Sequence, residues 1–168
     1  CLPDNLYQAF SEILNADISA AFKAEQLTLP SFNELADNIE EVDPIALLDA
    51  IDHVKKCLAS KLAPLFLQQY QQNLQTDYAN DGHAIGKRAL KNICLSYLST
   101  LTEQQHVLSE QYQQSNNMTD TLAALDCAAK HHHHDFTNMM ADFERKWTNT
   151  PLVMDKWLTL QALVNSDE

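Results

Sequence analysis

Apolar residues recur at helical spacing from one end of this chain to the other, and no segment keeps the strict alternation of a half-buried strand. Leu6, Phe10, Ile13 and Leu14 form the first face, with Asp4 as its N-cap. Asp17 caps a second helix that runs to about Leu27 and stops at Pro30. Ser31 and Glu34 have capping-box spacing and start a short third helix. Asp43–Pro44 opens the longest segment, striped by Leu47, Ile51, Val54, Leu58 and Leu62. Pro64 falls inside that stripe, which predicts a kink or break before helix resumes to about Gln75. Tyr78–Gly82 is a polar loop. Ile85, Ala89, Ile93 and Tyr97 mark the next helix, and Glu103–Gln114 a polar-faced one held by Val107, Leu108 and Tyr112.

The stretch Asn116–Ala162 carries three further helix starts. Asn117 is an N-cap, with Asp120 near the positive end of the helix dipole, and Leu122, Leu125 and Ala129 follow on one face. Phe136, Met139, Met140, Phe143 and Trp147 form a complete amphipathic stripe. Thr150–Pro151 restarts the chain, and Val153, Trp157, Leu160 and Val164 line the last helix. Starts near Ile85, Met118 and Pro151 recur about every 33 residues, the period of a helical-pair solenoid. The expected fold is all-α, a superhelix of about 8–10 helices. In such an array equivalent positions stack, so Asp120 is expected to pair with Arg88 or Lys156 across a repeat interface. The last helix has apolar groups on more than one face. This predicts self-association through it, with Trp157 inward and Leu158 toward the bare side.

With 168 residues, 45% of them hydrophobic, the chain can bury a real core. Only two glycines, Gly82 and Gly86, argue against a sheet protein rich in tight turns. A formal net charge of -12 disfavours nucleic acid and anionic membrane as partners. No apolar run approaches the roughly 20 residues that a membrane span needs. Cys1, Cys57, Cys94 and Cys127 are widely spaced, as buried reduced thiols are, and imply a cytoplasmic setting. Cys1 in place of methionine, with no signal peptide after it, implies a fragment cut from a longer polypeptide.

Chemistry is sparse. His131–His134 followed by Asp135 stands out, and His131 and His134 at i, i+3 on a helix could share one metal. Zinc requires three or four converging ligands, and only Asp135 offers a third, so an exposed turn with adventitious metal affinity is the favoured reading. His53, His83 and His106 are isolated, and none begins an H-E-x-x-H pair. There is no G-x-S-x-G elbow, phosphate-cradling glycine loop or C-x-x-C pair, so no residue is assigned a catalytic or cofactor-binding role. Trp147 and Trp157 lie on apolar stripes and read as core.

Several blocks carry a family resemblance: Leu27–Ser31, Asp43–Ala46, Lys87–Arg88 with Leu90–Asn92 and Cys94–Leu95, Asn116–Asp120 with Leu122–Leu125, Lys146–Trp147, and Leu152–Trp157. Their order and spacing, across nearly the whole chain, resemble the C-terminal helical domain of bacterial aminopeptidase N, the alanyl aminopeptidase of the gluzincin class. The resemblance implies that residues 1–168 are part of that domain, an armadillo-like helical superhelix. It covers the cavity of a zinc exopeptidase that removes N-terminal residues from peptides. It also implies that the zinc ligands lie in an upstream catalytic domain absent here, so no catalytic residue and no cofactor carries over to this chain. Its partners would be the remaining domains of the parent enzyme and peptides entering the covered cavity. The alternative is a free-standing helical-repeat module that grips a peptide or protein.

Overall fold

A computed structural model describes residues 2–164 of the chain, with side chains described to residue 162. Cys1 and the side chains of Leu163 and Val164, two of the apolar positions read into the last helix, lie outside the described residues. Every regular element is helical: α1 (Asp4–Asn15), α2 (Ala20–Leu27), α3 (Phe32–Ala36), α4 (Pro44–Gln72), α5 (Gly82–Leu98), α6 (His106–Gln114), α7 (Met118–Lys130), α8 (Phe136–Trp147) and α9 (Pro151–Val164), with a 3-10 turn at Thr102–Gln104. The pairs α4–α5, α6–α7 and α8–α9 pack side by side, and α5, α7 and α9 stack on one another in sequence. This is the all-α, solenoid-like superhelix that the spacing predicts. α1 packs on α4 and α2 on α5, closing the N-terminal end.

Capping chemistry fixes most of the boundaries. Ser31 and Glu34 form the complete capping box, with Ser31 N and Oγ both donating to Glu34 Oε2 at 2.7 Å. Asp43 accepts from Ile45 N and Ala46 N, and Pro44 takes the first helical position, where it has no ladder bond to lose. Two expected caps are corrected. Asp4 lies inside the first turn of α1 with Pro3 before it. Ser19, not Asp17, caps α2 by accepting from Phe22 N at 3.3 Å. Asp81 caps α5 through Ala84 N.

Pro64 does not break α4, which runs unbroken to Gln72. The carbonyl that its missing N–H would have bonded belongs to Ser60, and both residues are exposed, so water can serve that carbonyl. α5 also departs from the expected stripe. Ile85 and Ala89 are exposed, whereas Ala84, Arg88, Leu90, Lys91, Cys94, Leu95, Tyr97 and Leu98 are buried. The helix is enclosed by α2, α4 and α7 together, so no single apolar face defines its phase. A Cβ at Gly86 would lie 3.0 Å from Ala21 N and 3.1 Å from Ala21 Cβ, which is how closely α2 and α5 approach.

Tyr97 of α5 ties α1, α2 and α4 together. Its ring stacks on Phe66 at 4.4 Å between centroids and meets Phe10 edge-on at 6.0 Å. Its hydroxyl donates to Leu27 O at 2.7 Å, at the C-terminus of α2. Tyr97→Phe keeps the ring contacts and leaves a buried carbonyl unpaired. The expected loss is about 1–3 kcal/mol in urea unfolding, with an unchanged helical spectrum. A loss indistinguishable from zero would mean that water replaces the bond.

Candidate functional site

The most highly organised polar site in the molecule is built on Asp120. Asn117 caps α7 by accepting from Asp120 N at 3.0 Å, which places the Asp120 carboxylate in the first turn, where the helix dipole favours an anion. Asp120 is 3% exposed and Lys91 5%, and Lys91 Nζ donates to Asp120 Oδ2 at 2.6 Å. Asn92 donates to Oδ1 at 2.9 Å and Asn117 to Oδ2 at 2.8 Å. Gln111 of α6 completes the knot, donating to Asn92 Oδ1 at 2.8 Å and to Asp120 O at 3.0 Å. The bonds of Lys91, Asn92 and Gln111 lock α5, α6 and α7 to one another.

The expected partners of Asp120 are therefore corrected. Arg88 donates to Ala79 O at 2.6 Å and lies over the Tyr78 ring, pinning the loop between α4 and α5. Lys156 is exposed and forms no ion pair among the described residues. Arg88 lies one turn N-terminal to Lys91 and Asn92 on the same face of α5, level with the preceding loop rather than with the first turn of α7. Trp147 is half-buried with its ring 6.4 Å from that of Phe143. Trp157 donates to Met140 O at 3.1 Å, placing it on the inner side of α9, while Leu158 is 58% exposed.

The histidine run is not helical. Lys130 ends α7, and His132 takes φ 47°, the left-handed conformation that a helix terminator needs. His133 N donates to Ala128 O at 2.9 Å and His132 N to Ala129 O at 3.4 Å, the bond pair of a Schellman cap. His131 and His134 are thereby separated. The residues brought together instead are His133, His134 and Asp135, whose candidate ligand atoms lie within 4.8 Å of one another.

That trio does not fit a zinc centre. His133 is 3% exposed, and both its ring nitrogens face hydrogen-bond partners, Gln105 O at 3.2 Å and Asp135 N at 3.2 Å. Asp135 Oδ2 accepts from Ser109 Oγ at 3.0 Å. Ligation would break the contacts that hold the turn, and only His134 would remain as an exposed donor. Burial, and after it the neighbouring His134, hold the His133 imidazole below the usual histidine range. Burial, and after it Lys55, do the same for His131.

The remaining candidates are isolated. His53 lies 3.5 Å from the Cys57 thiol on the outer face of α4. Burial pushes the Cys94 thiol up to about 12 and raises that of Cys127, so neither is a ready nucleophile. No helix among the described residues is long and apolar enough to cross a membrane.

Two predictions follow from this geometry. Lys91→Met strands the buried Asp120 carboxylate and is expected to cost about 3–5 kcal/mol in denaturant unfolding, whereas Lys156→Ala stays within about 0.5 kcal/mol. The histidines bear on pH. A neutral imidazole favoured by folding contributes stability that is complete above the unfolded value near 6.5 and declines as pH falls through the depressed folded value. Urea midpoints should fall between neutrality and about pH 5, and fall less steeply in His131→Gln/His133→Gln; equal slopes would refute the assignment.

Known proteins share this fold and sequence. A family model described as a domain of unknown function (DUF3458_C), ARM repeats, matches residues 1–168. Aminopeptidase N of Escherichia coli (strain K12) is 40% identical over 164 residues, 96% of this chain and 19% of that protein. Aminopeptidase N of Haemophilus influenzae is 38% identical over 136 residues, 81% of this chain and 16% of that protein. The crystal structure of Legionella pneumophila aminopeptidase A in complex with aspartic acid matches with TM-score 0.84 at 25% identity, covering 99% of this chain and 21% of that one. The chain thus spans between 16% and 21% of the length of these relatives.

Proposed function

The chain belongs to the DUF3458_C family of ARM repeats as a C-terminal helical domain of the aminopeptidase N type, and from that premise we propose that it is a non-catalytic lid and scaffold of a zinc aminopeptidase. The observation that carries this reading is the coverage: nearly all of the chain matches a small part of each relative, and the match is to helical repeats. In this proposal the parent polypeptide removes N-terminal residues from peptides in the cytoplasm. Its zinc and general base reside outside residues 1–168.

The chemistry of the chain supports that division of labour. Zinc, when bound in the parent, supplies an activated water; none of the constellations described above could hold it and leave the fold intact. The groups of this chain act instead on position. The Asp120–Lys91 knot fixes the stacking of α5, α6 and α7. An acidic surface facing the parent's cavity would draw basic peptide termini by its long-range field. The outer face of α9, with Leu152 81% and Leu158 58% exposed, is then a contact surface, for the remaining domains or for a second copy of the chain.

Zinc-supplemented assays with an alanyl-arylamide test the proposal. The purified 168-residue chain is expected to release no product. The parent polypeptide is expected to be active, and to lose turnover with the whole of this region deleted. Zinc-dependent release by the clean chain alone would overturn the reading. Sedimentation of the same sample reports whether copies pair through α9.

A further inference from the structure

The protein buries two lysines, and only one of them has a counter-ion. Lys91 meets Asp120 at 2.6 Å. Lys23 of α2 is 6% exposed, yet its Nζ reaches only neutral oxygens, Leu14 O at 3.0 Å and Gln69 Oε1 at 3.4 Å. No carboxylate among the described residues lies within ion-pairing distance of it. Leu14 O belongs to the last turn of α1, so Lys23 also serves as a C-terminal cap there. That role uses one of three ammonium donors, and the bond to Gln69 is long. A buried cation left in that state is costly unless an anion completes it.

Lys23 lines a cavity of about 510 Å³ where the α1–α2 turn meets the end of α4 and the start of α5. Lys87 and His83 reach the same cavity from α5, and Lys87 forms no ion pair among the described residues. Asp17 supplies the one carboxylate in the lining, which mixes apolar side chains with amides such as Gln72 and Asn73. Two ammonium groups against one carboxylate make this a local reversal of sign in a chain of net charge -12. Generic attraction of anions is absent from such a chain, so an anion held here is held by this site.

We propose that the cavity bounded by Lys23 and Lys87 binds a small oxyanion, a phosphate or a carboxylate. The Lys23 ammonium, fixed by Leu14 O, is the buried anchor, and Lys87 is the second cation that closes over the ligand. The amides supply further donors to its oxygens. The site lies on a different part of the fold from the Asp120 knot and owes nothing to the proposed peptidase role. A failure here therefore leaves that role standing.

Thermal melting of the 168-residue chain tests this, with inorganic phosphate in one arm, sodium acetate and free alanine in two others, and sodium chloride at matched ionic strength as reference. Phosphate or a carboxylate is expected to raise the melting temperature by several degrees, saturably, and the arm that responds identifies the source of the oxyanion. Lys87→Gln, a change at a half-buried residue with no bonded partner in the fold, is expected to weaken binding about tenfold. Lys23→Met removes the buried anchor together with the bond to Leu14 O, and is expected to melt below the unliganded wild type and show no response. If it does not fold, Lys87→Gln carries the test alone. No rise with any of the oxyanions, a rise that chloride reproduces, or one whose half-saturation is unchanged in Lys87→Gln overturns the proposal.

Discussion

The buried Asp120–Lys91 ion pair is the constraint to which the repeat stacking answers. Two charges removed from water need compensating bonds: Asn92 and Asn117 donate to the Asp120 carboxylate beside Lys91, and Gln111 braces Asn92 and Asp120 O with its amide nitrogen while its own Oε1 stays buried without a partner. Those amides come from three helices. A shift of α5 against α7 by one residue would strand both charges, whereas the apolar contacts nearby would tolerate it with a modest loss. The ion pair therefore acts less as a source of stability than as a register lock between α5 and α7. Its cost is met by the surrounding core of Leu58, Phe66, Leu95, Leu98 and Leu125, each fully enclosed.

Local signals were legible in the sequence wherever one residue dictates one bond. The Ser31–Glu34 box, the Asp43–Pro44 start and the Asn117 cap all act within a single turn, and all three appear where the residues predict them. The stripes of α6 and α8 were legible because each helix has one covered face. α5 was not. With neighbours on several sides, it buries Arg88 and Lys91 and leaves Ile85 outside, so hydrophobicity alone misplaces its phase. The family itself was readable from blocks scattered along the whole chain, several of which hold helix starts, as at Asp43–Pro44 and Asn117–Met118.

The partner of Asp120 marks where sequence reasoning stops. Repeat spacing points to Arg88 or Lys156; Arg88 and Lys91 share a face of α5 one turn apart, and the level of α5 against α7 along its axis selects Lys91. The histidine run shows the converse limit. Four identical side chains read as one feature, yet backbone geometry gives them separate tasks: His131 ends the helix, His132 adopts the left-handed turn and His133 enters the interior. Nothing in residue type distinguishes them. The cap bonds to Ala128 and Ala129 do.

The glycine contact between α2 and α5 also has a mechanical meaning. With no side chain between Gly86 and Ala21, backbone rests almost on backbone, and repulsion there rises steeply with any further approach. Elsewhere in the N-terminal half, α3 and the first turns of α4 meet across an apolar groove of about 230 Å³ lined by Leu29, Leu35, Leu47, Ile51 and Val54. One seam is incompressible and the other has slack. Under load, the N-terminal part of the superhelix should yield first at the groove, while the α2–α5 seam resists further approach.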